Sequence, residues 1–502
     1  MSIAQHLPVL QVAIPLISAP LAVLLRRPAF AFVAVTLAAW AAFAVSIGLW
    51  LQIHNDGGII SYHIGSWAPP WGIEYRVDRL SSFMLVLVSG MASVVLPYSR
   101  ASIAREIPQE VHYFFYSMTA LCLAGLLGMT ITGDAFNLFV FLEISSLSSY
   151  VLIALGQDRR ALKAAYQYLI MGSIGATFFV IGIGFLYLMT GTLNMTHIGL
   201  KLANIESYRP VLAALAFITV GISLKAAIFP LHQWMPDAYS YAPSAVSSFL
   251  SATGTKISIF VLISIYYKIF GESLIFQKLP LPQFLLTLSL FAMFVPNFIA
   301  IFQNNLKRLF AYSSVGQIGY ITLGVSFDSI HGLAASILHL FNHALAKGAI
   351  FLLIGGIIAR QTNRPGHPPA PTFERLAGLS RHMPVTTLGI VMCGLSLIGV
   401  PGTAGFISKW HLILAAIEKG QWWLVGAILL SSLLAVLYVW RFIETAYLRD
   451  PPPGLPLHGE ASLALQIPAW ILIAATIWFG FDTTFALGSA LDAARDLFYS
   501  SR

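Results

Sequence analysis

The sequence predicts an all-α integral membrane protein of about fourteen transmembrane helices, and three observations carry that reading. Of 502 residues, 58% are hydrophobic and only 10% are charged, whereas soluble globular chains carry roughly a quarter charged. Apolar runs of about twenty residues, enough to cross roughly 30 Å of hydrocarbon, recur almost to the C-terminus. Most of the remaining charges sit in short connectors between these runs.

In chain order, the runs place helices near 8–25, 29–52, 79–98, 112–131, 135–155, 166–190, 211–229, 244–269, 281–302, 308–325, 331–358, 384–410, 421–446 and 463–488. The first run has no Lys or Arg before it and Arg26-Arg27 after it. That is the reverse of a signal peptide's charge order, so it is expected to stay as a membrane helix. The chain is expected to end about fourteen residues after its last helix. The longest connectors are 52–78, with Trp67-Ala-Pro-Pro-Trp71, and 360–383, with Arg364-Pro-Gly-His-Pro-Pro-Ala-Pro371. Neither is long enough to be a domain.

Charge then gives a topology. Connectors on one side carry Arg26, Arg27, Arg100, Arg105, Arg159, Arg160, Lys163, Lys307, Arg308, Arg360, Arg364, Arg375, Arg381, Arg441 and Arg449. The other side has roughly half as many, so the positive-inside rule places the termini outside an inner (plasma) membrane crossed many times. The formal charge of +8 is scattered and lacks the aromatic-interleaved patch of a nucleic-acid binder. Cys122 and Cys393 both lie inside apolar runs, which argues against a disulfide framework or a CxxC site. With no Gly-rich dinucleotide loop, haem motif or cluster-binding cysteine set, no cofactor is expected.

Two of the predicted helices look broken. Gly221-Ile-Ser-Leu-Lys-Ala-Ala-Ile-Phe-Pro-Leu-His-Gln-Trp-Met-Pro236 carries Pro230 and Pro236, each lacking a backbone donor. Leu395-Ser-Leu-Ile-Gly-Val-Pro-Gly-Thr-Ala-Gly-Phe-Ile-Ser-Lys-Trp410 carries Gly399, Pro401, Gly402 and Gly405. These are the seventh and twelfth predicted helices, and an odd offset makes them run in opposite senses. The expected organisation is a three-helix segment at 1–98, an inverted pair of five-helix repeats at 112–270 and 281–446, and a C-terminal helix within 447–502. Interrupted helices in matching halves point to a transport site, because unwound backbone at membrane depth is tolerated only in protein or beside water. A simple proline kink is the bland alternative.

An ionisable residue at the bilayer centre costs about 2.5 kcal/mol or more, so such residues need a use. Glu143 stands eight or more residues from either end of its predicted helix. Lys225 precedes Pro230, where half-helix carbonyls would favour a cation. Lys256 lies well inside the eighth predicted helix, and Lys409 follows the second break near a helix end. His339, His343 and Lys347 are four apart and share one helical face, with His331 extending the row. Titratable groups so stacked are within reach of one another directly or through one or two waters, as proton hopping requires.

Each of these residues also has a plainer reading. Glu143 and Lys225 could form a static ion pair, Lys256 could snorkel, Lys409 could anchor a helix end at the headgroups, and His339 or His343 could be ordinary core histidines. A zinc site at the histidine pair lacks a neighbouring carboxylate or cysteine, and no HExxH pattern exists, so no metal is expected. Asp134 reads as an N-terminal charge favoured by the dipole and Asp237 as a local cap. Ser313, Ser314 and Gln317 could support waters or merely pack helices.

Four stretches carry a resemblance: Leu138-Phe-Val-Phe-Leu-Glu143, Leu224-Lys-Ala-Ala-Ile-Phe-Pro-Leu-His-Gln-Trp-Met-Pro-Asp-Ala-Tyr239, Asn304-Asn-Leu-Lys-Arg-Leu-Phe-Ala-Tyr-Ser-Ser314 and Asn342-His-Ala-Leu-Ala-Lys-Gly348. Over nearly its whole length the chain resembles the proton-conducting antiporter-like subunits shared by Mrp-type cation/proton antiporters, respiratory complex I and membrane-bound hydrogenases. Glu74-Tyr-Arg-Val-Asp78, Gly133-Asp-Ala-Phe-Asn-Leu-Phe and Gly405-Phe-Ile-Ser-Lys-Trp410 look most like the D-type subunit of Mrp antiporters. Lys409 argues against the complex I subunit that carries glutamate there, and the chain lacks the lateral C-terminal arm of the largest relatives.

The resemblance implies a switchable gate pair, Glu143 with Lys225. It also implies central carriers Lys256, His339 and His343, and an exit at Lys409; it assigns no role to Lys347. It further implies other membrane subunits as partners, and protons exchanged against Na+ or K+, with no chemistry done by this chain itself. A solitary solute transporter and a purely structural membrane subunit remain the readings from other classes.

Overall fold

The structure is a computed structural model that describes residues 3–203, 205, 209–362, 368–451 and 459–500. Every run expected to be helical is helical. The helices are α1 Leu7–Leu25, α2 Pro28–Asp56, α3 Arg79–Glu106, α4 His112–Ile131, α5 Ala135–Ala154, α6 Arg159–Thr190, α7 Met195–Leu202, α8 Arg209–Ala226, α9 Trp234–Tyr241, α10 Ser244–Ala252 and α11 Gly254–Ile265. The second half has α12 Leu281–Ile301, α13 Leu306–Ser326, α14 Ile330–Gln361, α15 Phe373–Leu376, α16 Pro384–Ile398, α17 Ala404–Glu418, α18 Trp422–Ile443, α19 Leu463–Phe481 and α20 Thr484–Ser500.

Among the described residues, 12 helices are long and apolar enough to cross a membrane, or up to 13 if one bent pair is a single span. The expected segments outside the 12 are α13, studded with Ser313, Ser314 and Gln317, and the broken α16–α17, whose halves have 15 residues each.

Helix starts follow from short polar side chains that take up the free N–H groups of a first turn. Asp78, Asp134, Asp158, Asn194, Asn305 and Ser329 cap α3, α5, α6, α7, α13 and α14 in this way. Asp134 thus does what its position suggested, accepting from the Asn137 N–H at 2.7 Å. Asp237 does not act as a cap; it forms an ion pair with Arg308 at 3.0 Å.

α14 is the central post. It packs against α3, α10, α13, α16, α17, α19 and α20, and every residue from Gly332 to Ala359 is buried. α1, α2, α6, α12 and α18 form the rim, exposing Leu24, Leu37, Leu188, Phe298 and Leu433 as a lipid-facing surface does.

Two elements depart from the expected layout. The 52–78 connector folds as an antiparallel hairpin, β1 Ile60–His63 on β2 Glu74–Val77, with Trp71 90% exposed at its tip. The C-terminal segment turns after Phe481 and continues as α20, which buries Ala486, Ala490, Ala493, Leu497 and Phe498. The helix expected at 463–488 is therefore two helices. The Arg364–Pro371 stretch falls partly outside the described residues.

The expected breaks are present. α8 stops at Ala226, Ala227 takes a positive φ of 54°, and Pro230 lies in the seven-residue gap before α9. Pro236 is not in that gap; it occupies the first turn of α9, where a missing N–H costs nothing. α16 stops at Ile398, and Gly399 and Gly402 adopt φ of 93° and 85° around Pro401 before α17 begins. Only glycine takes such angles freely. A third interruption, at Thr253, splits the run expected to be continuous over 244–269 into α10 and α11.

Candidate functional site

The breaks place cations where helix ends leave carbonyls. Trp234, the first residue of α9, folds back so that its Nε1 donates to the Leu224 carbonyl at 2.8 Å and its ring stacks on Tyr168 at 3.8 Å. That arrangement encloses Lys225, which is buried on the penultimate residue of α8. Its Nζ donates to the Ser146 hydroxyl and to Tyr150 Oη at 3.4 Å, and it lies over the Tyr150 and Tyr168 rings at 5.2 and 5.0 Å.

Glu143 shares α5 with Ser146 and Tyr150 but is half-buried rather than buried. It sits on the helix face that exposes Phe136, Val140 and Leu147. Among the described residues, it makes no ion pair with Lys225 within 4.0 Å, and its Oε1 has no hydrogen-bond partner. The two remain within electrostatic reach of each other. The structure therefore holds the expected gate pair apart, with Lys225 bound to hydroxyls.

A cavity of about 20 Å³ adjoins Lys225 and is lined on its other side by Gly254, Thr255 and Ser258 of α11; it has room for one or two waters. Lys256, 1% exposed, follows on α11 and donates to the Ser251 carbonyl at the end of α10, across the Thr253 interruption.

On α14, His339, His343 and Lys347 are all buried and diverge in their partners. Lys347 Nζ donates to the Phe310 carbonyl at 2.7 Å and to the Ser313 hydroxyl, both on α13. His339 Nε2 lies 3.0 Å from Gln317 Oε1, and Nδ1 lies 2.7 Å from Ser408 Oγ. The amide oxygen can only accept, so Nε2 carries a proton and Nδ1 faces the hydroxyl. Among the described residues, His343, 2% exposed, has no hydrogen-bond partner on either ring nitrogen. Its ring lies parallel to that of His339, 6.1 Å away, and it is within electrostatic reach of Lys256, Lys347 and Lys409. Buried polar atoms are nearly always paired with protein or ordered water, so a wholly unpaired imidazole marks a place for water. His331 stands apart from this row, exposed and paired with Glu418 at 2.9 Å.

Lys409 is not near a helix end. α17 runs on to Glu418, and Lys409 is buried in its first half. Its Nζ donates to the Leu397 and Ile398 carbonyls at 2.8 and 3.0 Å and to Ser432 Oγ at 3.0 Å, above the Tyr320 ring at 4.4 Å. It thereby satisfies the carbonyls that α16 leaves free at its break.

Ser146, Tyr150, Tyr168, Trp234, Ser408 and Ser432 were not singled out from sequence. Hydroxyl and aromatic residues are commonplace in membrane helices, and only the fold brings them to the lysines. The Thr253-Gly254 step was the one available signal for the third interruption.

Residues 132–435 match the sequence profile of a family described as NADH:quinone oxidoreductase/Mrp antiporter, transmembrane. The N subunit of an NADH-quinone oxidoreductase from Desulforudis audaxviator is 40% identical over 93% of both chains. The D subunit of an Na(+)/H(+) antiporter from Bacillus subtilis is 28% identical over 95% of this chain and 94% of its own. Among solved structures, a chain of the Mrp complex from Dietzia sp. superposes with a TM-score of 0.88 at 25% identity, covering 99% of this chain and 98% of that one. A chain of the membrane-bound sulfane sulfur reductase, an archaeal respiratory membrane complex, superposes with a TM-score of 0.87 at 28% identity over 98% of both.

Proposed function

Because the chain belongs to the NADH:quinone oxidoreductase/Mrp antiporter transmembrane family, we propose that it is the proton-translocating subunit of a multisubunit monovalent cation/proton antiporter. The observation that carries this reading is the row of buried titratable groups, Lys225, Lys256 and Lys409 beside helix breaks with His343 and His339 on the unbroken α14, and with the unpaired imidazole of His343 in its middle. Lys347 lies beside the row, within electrostatic reach of His343. Similarity to subunits of multisubunit complexes supports other membrane subunits as partners, with Na+ or K+ as the exchanged ion.

In this mechanism Glu143 and Lys225 form the gate. When the carboxylate approaches, the ammonium is held charged; when it withdraws, as in the arrangement described, Lys225 has only hydroxyl and ring partners and gives its proton onward. The proton crosses the cavity towards Lys256, passes the two histidines and reaches Lys409. One charge moved through 100 mV exchanges about 2.3 kcal/mol, the scale a gate of this kind must match. We assign the inverted repeats to 112–270 and 281–446, and the termini to the outside of an inner (plasma) membrane.

The test is Lys225→Ala in the assembled complex, reconstituted in vesicles with a pH-sensitive dye. Proton-coupled transport should vanish while complex content stays normal; undiminished transport would refute the scheme. The 40% identity to the N subunit of an NADH-quinone oxidoreductase favours one second reading, in which the same row serves a redox-driven complex. Purifying the complex separates the two: quinone-reductase activity in the preparation supports the second reading.

A further inference from the structure

A second charged pair lies off the relay. Glu106, the last residue of α3, is 3% exposed, and Lys307, near the start of α13, is 2% exposed. The carboxylate is fully engaged: Oε1 accepts from the Ser102 hydroxyl, and Oε2 accepts from the Ser244 N–H at 2.8 Å and its hydroxyl at 3.0 Å. Lys307 Nζ donates to the Ala242 carbonyl at 2.9 Å and lies within electrostatic reach of Glu106. Opposite charges buried this deeply are costly to hold in the interior.

Above the pair is a cleft of about 50 Å³, lined by Glu106, Lys307, Gln157, Asp158, Tyr241 and Asn305. It has room for roughly three to five waters. It lies on the face that carries the Arg159, Arg160 and Arg308 connectors. Asp158 at its edge is already paired with Arg160 at 2.6 Å, so Glu106 is the carboxylate at its floor that lies within reach of a path inward.

That path is a row of hydroxyls on α10, Ser244, Ser248 and Ser251, spaced three or four residues apart and all buried. They follow one helix face over about 10 Å of rise. Ser244 binds Glu106, Ser248 donates to the Gly348 carbonyl at 2.9 Å, and the Ser251 carbonyl receives Lys256 Nζ. On α13 a parallel track runs from Lys307 to the Phe310 carbonyl and Ser313, the partners of Lys347. Both tracks start at the cleft; one ends at Lys256 of the relay and the other at Lys347 beside it.

Resting on the proton-relay reading above, we propose that this cleft is the mouth of the proton path on the basic face, with Glu106 as its proton-exchanging group and the α10 serines as the link to Lys256, whose onward transfer the Glu143–Lys225 gate controls. Besides the pair, the titratable groups facing this region are Tyr98, Tyr241 and Asp158. Tyr98 is tied to the Leu352 carbonyl at 2.8 Å and Asp158 to Arg160.

The experiment places a cysteine at exposed Gln157 (Gln157→Cys) in the complete complex. The complex, in vesicles of known orientation, is then labelled with a bulky membrane-impermeant thiol reagent from the basic face. The native Cys122 and Cys393 are buried and serve as the unlabelled background. Labelling should cut proton transport at least tenfold relative to the same Gln157→Cys complex before labelling. Glu106→Gln should slow transport similarly, with Glu106→Asp restoring much of it. Complete labelling with no loss of rate overturns the port. Lys225→Ala measured in parallel separates the two failures: if it is inactive while labelling is harmless, the relay stands and the port falls; if it is active, the relay itself has failed.

Discussion

Lys409 Nζ and the Leu397 carbonyl oxygen lie 2.8 Å apart, so the helix after the second break is tied by its lysine to the last turn of the helix before it. The same ammonium is the proposed end of the proton path. Lys409→Ala should therefore fail twice. Transport should fall at least about tenfold, and the melting temperature of the purified complex should drop. The Ile398 carbonyl loses its partner and the Leu397 carbonyl keeps only Gln317 Nε2 at 3.4 Å, at a cost of about 1–3 kcal/mol. Full transport with an unchanged melt would remove Lys409 from both roles.

Glu143 and Lys225 should behave as one step. Glu143→Gln alone is expected to slow transport by about tenfold, and adding it to Lys225→Ala should cost nothing more, because residues acting together are not additive. Residual activity in Lys225→Ala that Glu143→Gln then lowers by its own full factor would place them in separate steps. A static pair predicts instead that only stability suffers, measurable as lost complex content.

His343→Leu should separate function from folding. Among the described residues the imidazole has no hydrogen-bond partner, so its removal breaks no bond within the protein. The leucine variant should melt no lower than the parent while losing proton transport. Retained transport would exclude His343 from the path.

Gly405→Ala should damage the fold rather than the chemistry. A Cβ there would meet the Ser396 carbonyl, which α17 approaches as it leaves the break. Over-packing of this kind costs about 1–3 kcal/mol. Gly426→Ala, where a Cβ meets nothing within 4 Å, is the control and should leave the melt unchanged. Equal melting of both variants would contradict this packing.

The depth of the charged residues was legible in the sequence because lipid penalises charge so strongly that each one stands out in an apolar run. Pro230 and the Gly399-Val-Pro-Gly402 step likewise announced their breaks through missing donors and left-handed angles. What could not be read was direction around the helix. Glu143 shares its depth with Lys225, yet it sits at the edge of the exposed α5 face, and the α5 sequence is too weakly amphipathic to distinguish inside from outside. α20 escaped notice because Asp492, Arg495 and Asp496 depress its hydropathy while its alanines pack inward. The Glu106–Lys307 pair was hidden for another reason. Each residue ends or begins a helix, where charge reads as topology, and some 200 residues separate them.

The wholly enclosed α14 sets a condition on biogenesis. A segment bearing Lys347 and two histidines would be held poorly by lipid alone, at about 2.5–3.5 kcal/mol for the lysine by itself. Its earlier neighbours α3, α10 and α13 are synthesised before it, so they can offer a ready socket as it leaves the ribosome. The later ones, α16, α17, α19 and α20, must close over it afterwards. Truncations that end just after Gln361 should therefore strand a membrane intermediate with this lysine- and histidine-bearing helix laid open on one flank, the species that quality-control proteases would meet first.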